Sequence, residues 1–251
     1  GFKTVYLASL LGYATHGLLD ACTSYGTQLF WPFSNERVTW NNISIIDPLF
    51  TIPILIFVGT AIKTRKRLFS FFAIGWATFY LSLGFVQYER TLSTAIELAH
   101  SRGHNAERLT LKPSFGNLIL WKSIYQHEEK FYVDAIRTVR SSTWCSGENI
   151  RMFDYQQHLP DLDEDSQQKK DIERFRWFSQ DYLGFDEEKN LVTDVRYSMI
   201  PNQITPMWGL VIDDQQDVNE HAIWWTSRSL EQSQLDLFKE MLSGKKCRNR
   251  S

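Results

Sequence analysis

The feature that most constrains this chain is a long segment without charge, residues 68–88. A helix of about 20 apolar residues crosses a hydrocarbon core roughly 30 Å thick. The segment therefore predicts a membrane-spanning helix. A second uncharged segment, residues 48–62, predicts another span. The length of the first segment argues against a soluble protein in which both are core helices.

A compact basic turn, Lys-Thr-Arg-Lys-Arg at residues 63–67, separates the two apolar segments. The positive-inside rule places such clusters on the cytoplasmic face of a membrane. Residues 41–47 and everything after residue 88 then lie on the opposite side. We therefore expect a multi-pass protein whose C-terminal part lies outside the cytoplasm.

The two parts of the chain differ in composition, because charged residues crowd into the part that follows residue 88. We expect a membrane α-helical N-terminal part of about three helices, the first over residues 3–22, and a C-terminal α+β soluble domain with a small antiparallel sheet. The expected divisions are a membrane region at 1–88, an amphipathic linker helix at 89–107 and the soluble domain at 108–251. Predicted strands cover 118–121, 130–139, 149–153, 191–199, 207–212 and 221–225, and predicted helices cover 172–182 and 230–242.

Net charge and cysteine usage exclude some functions. A formal net charge of -2 argues against nucleic-acid binding, which normally needs a basic excess. Three cysteines do not make a disulfide framework. Cys145 and Cys247 could pair in an oxidising compartment, although nothing in their spacing requires it.

The strongest chemical signal is the pair His16 and Asp20, one helical turn apart in an otherwise uncharged stretch. At that spacing the two side chains face the same way, and burying either one alone would be costly. Thr23, seven residues after His16, extends the same face. Imidazole and carboxylate together suit zinc or a related divalent ion.

Two interpretations of the pair stay open at this point. His16 and Asp20 could form a hydrogen bond between packed helices without any metal, because two ligands do not complete a zinc site. Ionisable residues within membrane segments nevertheless mark functional sites by default. Asp47, directly before Pro48, offers either a cap for the second span or a further carboxylate.

The order and spacing of several short motifs point to a known family. The chain resembles, over its first third, the YdjM-type, LexA-regulated family of bacterial inner-membrane metal-dependent hydrolases. The residues that carry the resemblance are His16-Gly17-Leu18-Leu19-Asp20, Thr23, Gly26, Leu29, Pro32-Phe33-Ser34 and Ile45-Ile46-Asp47-Pro48.

The resemblance implies a site and a reaction. His16 and Asp20 would be ligands of a divalent ion, zinc first. Asp47 would be a further ligand or the general base, and Thr23 and Ser34 would form hydrogen bonds to the ligands. The family is distantly similar to zinc-dependent phospholipase C, which implies hydrolysis of a phosphoester or lipid-linked substrate at the outer face of the inner membrane.

The family also carries His-Arg and Thr-His-Ser motifs upstream of this stretch. The printed sequence starts at Gly1 without them, so we expect it to be truncated and its remaining ligands to lie upstream. The alternative is a non-catalytic, membrane-anchored binding or envelope-stress protein whose periplasmic domain captures a partner.

Overall fold

The computed structural model describes residues 1–213, 217–227, 229, 231–245 and 248–249. The helices in these residues are α1 (Phe2–Ala21), α2 (Pro48–Thr64), α3 (Arg67–Ser101), α4 (Tyr155–His158), α5 (Gln167–Phe178) and α6 (Gln232–Ser243). The strands are β1 (Glu107–Pro113), β2 (Leu120–His127), β3 (Lys130–Thr138), β4 (Ser142–Arg151), β5 (Leu183–Asp186), β6 (Leu191–Asp194), β7 (Trp208–Val211), β8 (Ile223–Thr226) and β9 (Arg248–Asn249).

The chain forms two compact units. The first comprises Gly1–Ser93, Leu111–Trp121 and Thr138–Arg140. The second comprises Thr94–Thr110, Lys122–Arg137 and Ser141–Ser251. The division at residues 88 and 107 expected from the sequence stays a prediction.

The first unit contains the apolar helices. Helices α1 and α2 follow the segments predicted at 3–22 and 48–62. Helix α3 runs without a break through the predicted span at 68–88 and most of the predicted linker helix. The transition from apolar to charged residues near residue 88 therefore occurs within one continuous helix.

Helix α3 is the one helix in the described ranges that is long and apolar enough to cross a membrane. Only 17% of its most apolar 18 residues are buried, whereas a core helix of a soluble protein would be mostly buried. Helix α2 is apolar but has 17 residues, about 25 Å at roughly 1.5 Å per residue. One candidate span supports membrane association, and the three-helix membrane part expected from the sequence is not established.

The surface of α2 is apolar and open. None of its residues is buried. Large exposed apolar patches mark surfaces that bind a partner or a membrane. The large apolar side chains exposed on this helix are Leu49, Ile52, Leu55, Ile56, Val58 and Ile62.

A close backbone contact fixes the segment before α2 against α3. A Cβ atom added at Gly84 would lie 2.1 Å from the backbone oxygen of Asn42. The Asn42 side chain donates to the carbonyl oxygen of Leu81 over 3.1 Å. Only glycine allows this approach, because any larger residue would push the chain away from the helix.

The strands form two antiparallel sheets instead of the single small sheet expected from the sequence. One has the order β1-β2-β3-β4-β9, and the other has the order β5-β6-β7-β8. Helices α4 and α5 separate β4 from β5 along the chain. Helix α5 contributes Ile172 and Phe175 to the core of the second sheet, where they meet Leu183 and Leu210. The second sheet thus has its own apolar core.

We predict that Gly84→Ala destabilises the first unit, because the added methyl group would meet a backbone oxygen that has no rotamer to change. Overpacking of this kind costs roughly 1–3 kcal/mol. Unfolding can be followed with a thiol-reactive fluorogenic dye, because Cys22 is a buried free cysteine of this unit.

Gly75→Ala is the matched control on the same helix. A Cβ atom there would meet nothing within 4 Å. We expect its melting temperature to equal or exceed that of the wild type, since alanine favours a helix over glycine by about 1 kcal/mol. Equal melting of both variants would contradict the close contact at Gly84.

Candidate functional site

His16 and Asp20 lie side by side on α1, which confirms that their side chains face the same way. The Nε2 atom of His16 lies 3.4 Å from the Oδ2 atom of Asp20. The two side chains are 70% and 49% exposed. The pair therefore lies on an open helix face.

The openness of this face bears on the two interpretations of the pair. A structural hydrogen bond between packed helices would bury both groups and would bring donor and acceptor within about 2.7–3.2 Å. The observed atoms are farther apart and the side chains are open. The geometry therefore does not fit a buried hydrogen bond between packed helices.

The separation of the pair matches two ligands of one zinc ion. Ligands at about 2.0–2.2 Å in a tetrahedral site lie roughly 3.4 Å from each other. Two ligands still leave the site incomplete. Across the described part of the chain, no group of three or more His, Cys, Asp or Glu side chains is placed to hold a metal. His16 and Asp20 thus fit part of a metal site.

Thr23 and Ser34, the two residues expected to support the ligands, make local hydrogen bonds. The Thr23 hydroxyl donates to the backbone oxygen of Asp20 over 2.8 Å. The Ser34 hydroxyl accepts from the backbone N–H of Glu36 over 3.1 Å. Thr23 therefore steadies the end of α1 next to Asp20, and Ser34 shapes the following loop.

Asp47 caps the start of α2, one of the two roles that the sequence allowed. Its Oδ1 atom accepts from the backbone N–H groups of Leu49 and Phe50 over 3.1 and 3.2 Å. The Tyr80 hydroxyl of α3 donates to the same carboxylate, at 3.0 Å from Oδ1 and 2.9 Å from Oδ2. Asp47 is 4% exposed. Capping and the tyrosine contact account for its burial, and a catalytic role stays a prediction.

Backbone hydrogen bonds tie the end of α1 to the segment before α2. The N–H of Trp40 donates to the carbonyl of Ala21, and the N–H groups of Asn42 and Ile43 donate to the carbonyl of Cys22. Asp47 follows Ile43 by four residues, which span at most about 14 Å at roughly 3.5 Å each. Asp20 and Asp47 therefore share one end of the helical unit.

The second unit brings together histidines that the sequence leaves scattered. The rings of His104 and His127 stack with their centroids 4.3 Å apart. The Nδ1 atom of His104 lies 2.8 Å from the Tyr125 hydroxyl. Burial and the neighbouring His127 lower the pKa of His104. The spacing of these residues gave no signal, because they come from a loop and a strand.

Cys22 and Cys145 differ in whether they form a disulfide bond. Cys22 is free and buried. Cys145 on β4 is disulfide-bonded. The pairing of Cys145 with Cys247, which the sequence left open, involves a residue that lies outside the described ones. A disulfide is typical of an oxidising compartment such as the bacterial periplasm.

The exposed apolar helices of the first unit are typical of a membrane-associated protein. The sequence profile of the YdjM inner membrane protein family matches residues 2–91, from the start of α1 into α3. This match confirms the resemblance inferred from the motifs and supports an inner-membrane location. No curated protein and no solved structure gives a significant match to the chain.

We predict that Asp47→Ala destabilises the first unit by about 2–4 kcal/mol. Loss of a helix N-cap costs roughly 0.5–2 kcal/mol, and the Tyr80 hydroxyl would be left without its acceptor, at a cost of about 1–3 kcal/mol. Thermal unfolding, monitored by the reaction of the dye with the Cys22 thiol, measures the change in stability.

Asp47→Asn is the informative partner of this variant. An asparagine caps a helix as well as aspartate does, and its amide oxygen still accepts from the Leu49 and Phe50 N–H groups. We expect it to lose less than half as much stability as Asp47→Ala. An Asp47→Ala variant as stable as the wild type would show that the carboxylate does not hold this helix.

Proposed function

We propose that this protein is a membrane-bound metal-dependent hydrolase, with His16 and Asp20 as ligands of a divalent ion, zinc first. The observation that carries the proposal is the separation of 3.4 Å between His16 Nε2 and Asp20 Oδ2 on an open helix face. The match of the YdjM inner membrane protein profile to the same segment supports the membrane-bound part of the proposal.

The remaining groups take supporting roles in this proposal. The ion needs at least one further protein ligand besides His16 and Asp20. Asp47 is a candidate general base, since its Oδ2 atom accepts only from the Tyr80 hydroxyl among the hydrogen bonds described. Thr23 holds the backbone of Asp20 and so limits the movement of that ligand.

The chemistry of the pair favours hydrolysis. A bound divalent ion lowers the pKa of its water toward about 7 and polarises the oxygen of a phosphoryl or carbonyl group. Imidazole nitrogen and carboxylate oxygen leave such an ion enough positive charge to act in this way, whereas thiolate ligands are typical of structural sites.

The surroundings of the pair favour a substrate with a lipid portion. Leu19, three residues after His16 on α1 and thus next to the pair on the helix surface, is 38% exposed. Apolar side chains next to polar ligands suit a molecule with an acyl chain and a phosphoester head. We therefore propose a phosphoester or lipid-linked substrate at the outer face of the inner membrane.

We further propose a multi-pass topology with the C-terminal part in the periplasm. Helices α2 and α3 are joined by a basic turn that includes Arg65 and Lys66, and basic turns favour the cytoplasmic side. The disulfide at Cys145 suits an oxidising compartment on the other side.

We predict that the full-length gene product, extracted from membranes, carries a stoichiometric divalent metal. His16→Ala and Asp20→Asn each remove one of its few ligands, so we expect each to lower the metal content at least tenfold. Elemental analysis by mass spectrometry after desalting measures the content.

His100→Ala is the matched control, because His100 is an exposed histidine of α3. Its metal content should equal that of the wild type. Metal content that is unchanged by both ligand substitutions would contradict the proposal. A metal-free wild-type protein would instead favour the second candidate, a membrane-anchored binding protein that captures a partner through its C-terminal part.

A further inference from the structure

The second unit contains a buried lysine in an unusual setting. Lys122 on β2 is 4% exposed. Its Nζ atom donates to the Ser198 hydroxyl oxygen over 2.7 Å and to the backbone oxygen of Gln203 over 2.8 Å. Within the described ranges it forms no salt bridge. A buried lysine without a paired carboxylate is rare, because the charged form loses its hydration.

The protonation of Lys122 follows from this burial. Desolvation lowers the pKa of Lys122 to about 7, although the charges of Asp194 and Glu148 act in the opposite direction. Burial therefore makes the neutral amine accessible near neutral pH. A neutral amine has two N–H donors and one lone pair, so it can accept a proton.

Ser198 is placed to use that lone pair. Its side chain is partly exposed, and its Oγ atom lies 2.7 Å from both Lys122 Nζ and the carbonyl oxygen of Ile200. The hydroxyl hydrogen can rotate from the carbonyl toward the amine without movement of heavy atoms. The serine thus has a base within hydrogen-bonding reach, in a residue that is partly exposed.

The segment that carries Ser198 is held rigidly at its start. Arg196 and Asp194 form a buried ion pair over 2.7 Å, and the Arg196 guanidinium also donates to the carbonyl oxygen of Phe178 over 3.0 Å. Ser198 follows Arg196 by two residues, with one residue between them. Rigid support of this kind keeps a nucleophile and its base in a reactive geometry.

We propose that Ser198 and Lys122 form a serine–lysine dyad that hydrolyses small acyl esters, a second site separate from His16 and Asp20. A serine hydroxyl beside a lysine base is a known variant of nucleophilic acyl transfer. The proposal does not depend on a metal ion and goes beyond the proposed function of the first unit.

The reaction balances with water as the second substrate. Ser198 Oγ forms a bond to the acyl carbon while its proton moves to Lys122 Nζ. The bond from the acyl carbon to the alcohol oxygen then breaks, and the alcohol takes that proton. Water next gives a proton to Lys122 and forms a bond to the acyl carbon. The bond to Ser198 Oγ breaks, Oγ regains the proton, and the acid leaves.

A fluorophosphonate probe tests the dyad in the full-length protein in detergent. We expect one phosphonate adduct, assigned by peptide mass spectrometry to Ser198. Labelling should rise between pH 6 and pH 8, as Lys122 loses its proton, and then level off. A chelator should leave it unchanged, which separates this site from a metal centre.

Three variants sharpen the test. Ser198→Ala should abolish the adduct, and Lys122→Arg, which keeps a cation that cannot lose its proton, should lower the labelling rate about 100-fold, the typical contribution of a general base. Ser227→Ala, at another half-buried serine of the second unit, should label like the wild type. If Lys122→Arg fails to fold, the pH dependence of the labelling rate of the wild-type protein tests whether Lys122 acts as a base.

Two results would overturn the proposal. One is the absence of any Ser198 adduct at pH 8. The other is labelling of Ser198 at the same rate from pH 6 to pH 8. Either result would show that Lys122 is an anchor for residues 198–203 and not a base.

Discussion

The Asp47 carboxylate is the interaction on which the first unit depends. It accepts hydrogen bonds from the first turn of α2 and from Tyr80 on α3, so one buried group sets the position of both helices. A carboxylate at a helix N-terminus also meets the positive end of the helix dipole. The close approach of Gly84 to Asn42 adds a second contact a few residues away in the same segment. Together they fix the end of the unit that also holds Asp20.

Local patterns in the sequence predicted much of this architecture. The uncharged segments located α2 and the first part of α3, Pro48 located the start of α2, and Gly244 located the end of α6. These signals are local in the sequence. The uncharged segments act through their length, Pro48 through its fixed backbone angle and Gly244 through its left-handed cap. The pairing of His16 with Asp20 was predictable for the same reason, since it depends on one helical turn.

Contacts between distant residues could not be predicted in this way. Tyr80 contacts a carboxylate 33 residues earlier, and Lys122 contacts a hydroxyl 76 residues later. Strand β1 was not predicted, because its charged residues break the alternation that marks a strand. The two sheets were expected as one, since the pattern of a strand does not reveal its neighbours.

X-ray absorption spectroscopy at the zinc edge tests the central claim most directly, because it measures the ligands of the metal in the purified full-length protein. For the wild-type protein the account predicts a shell of nitrogen and oxygen at about 2.0–2.2 Å with the outer scattering of an imidazole ring, and for His16→Ala a loss of that zinc signal. A spectrum without an imidazole contribution, or one that His16→Ala does not change, would contradict a metal site built on His16 and Asp20.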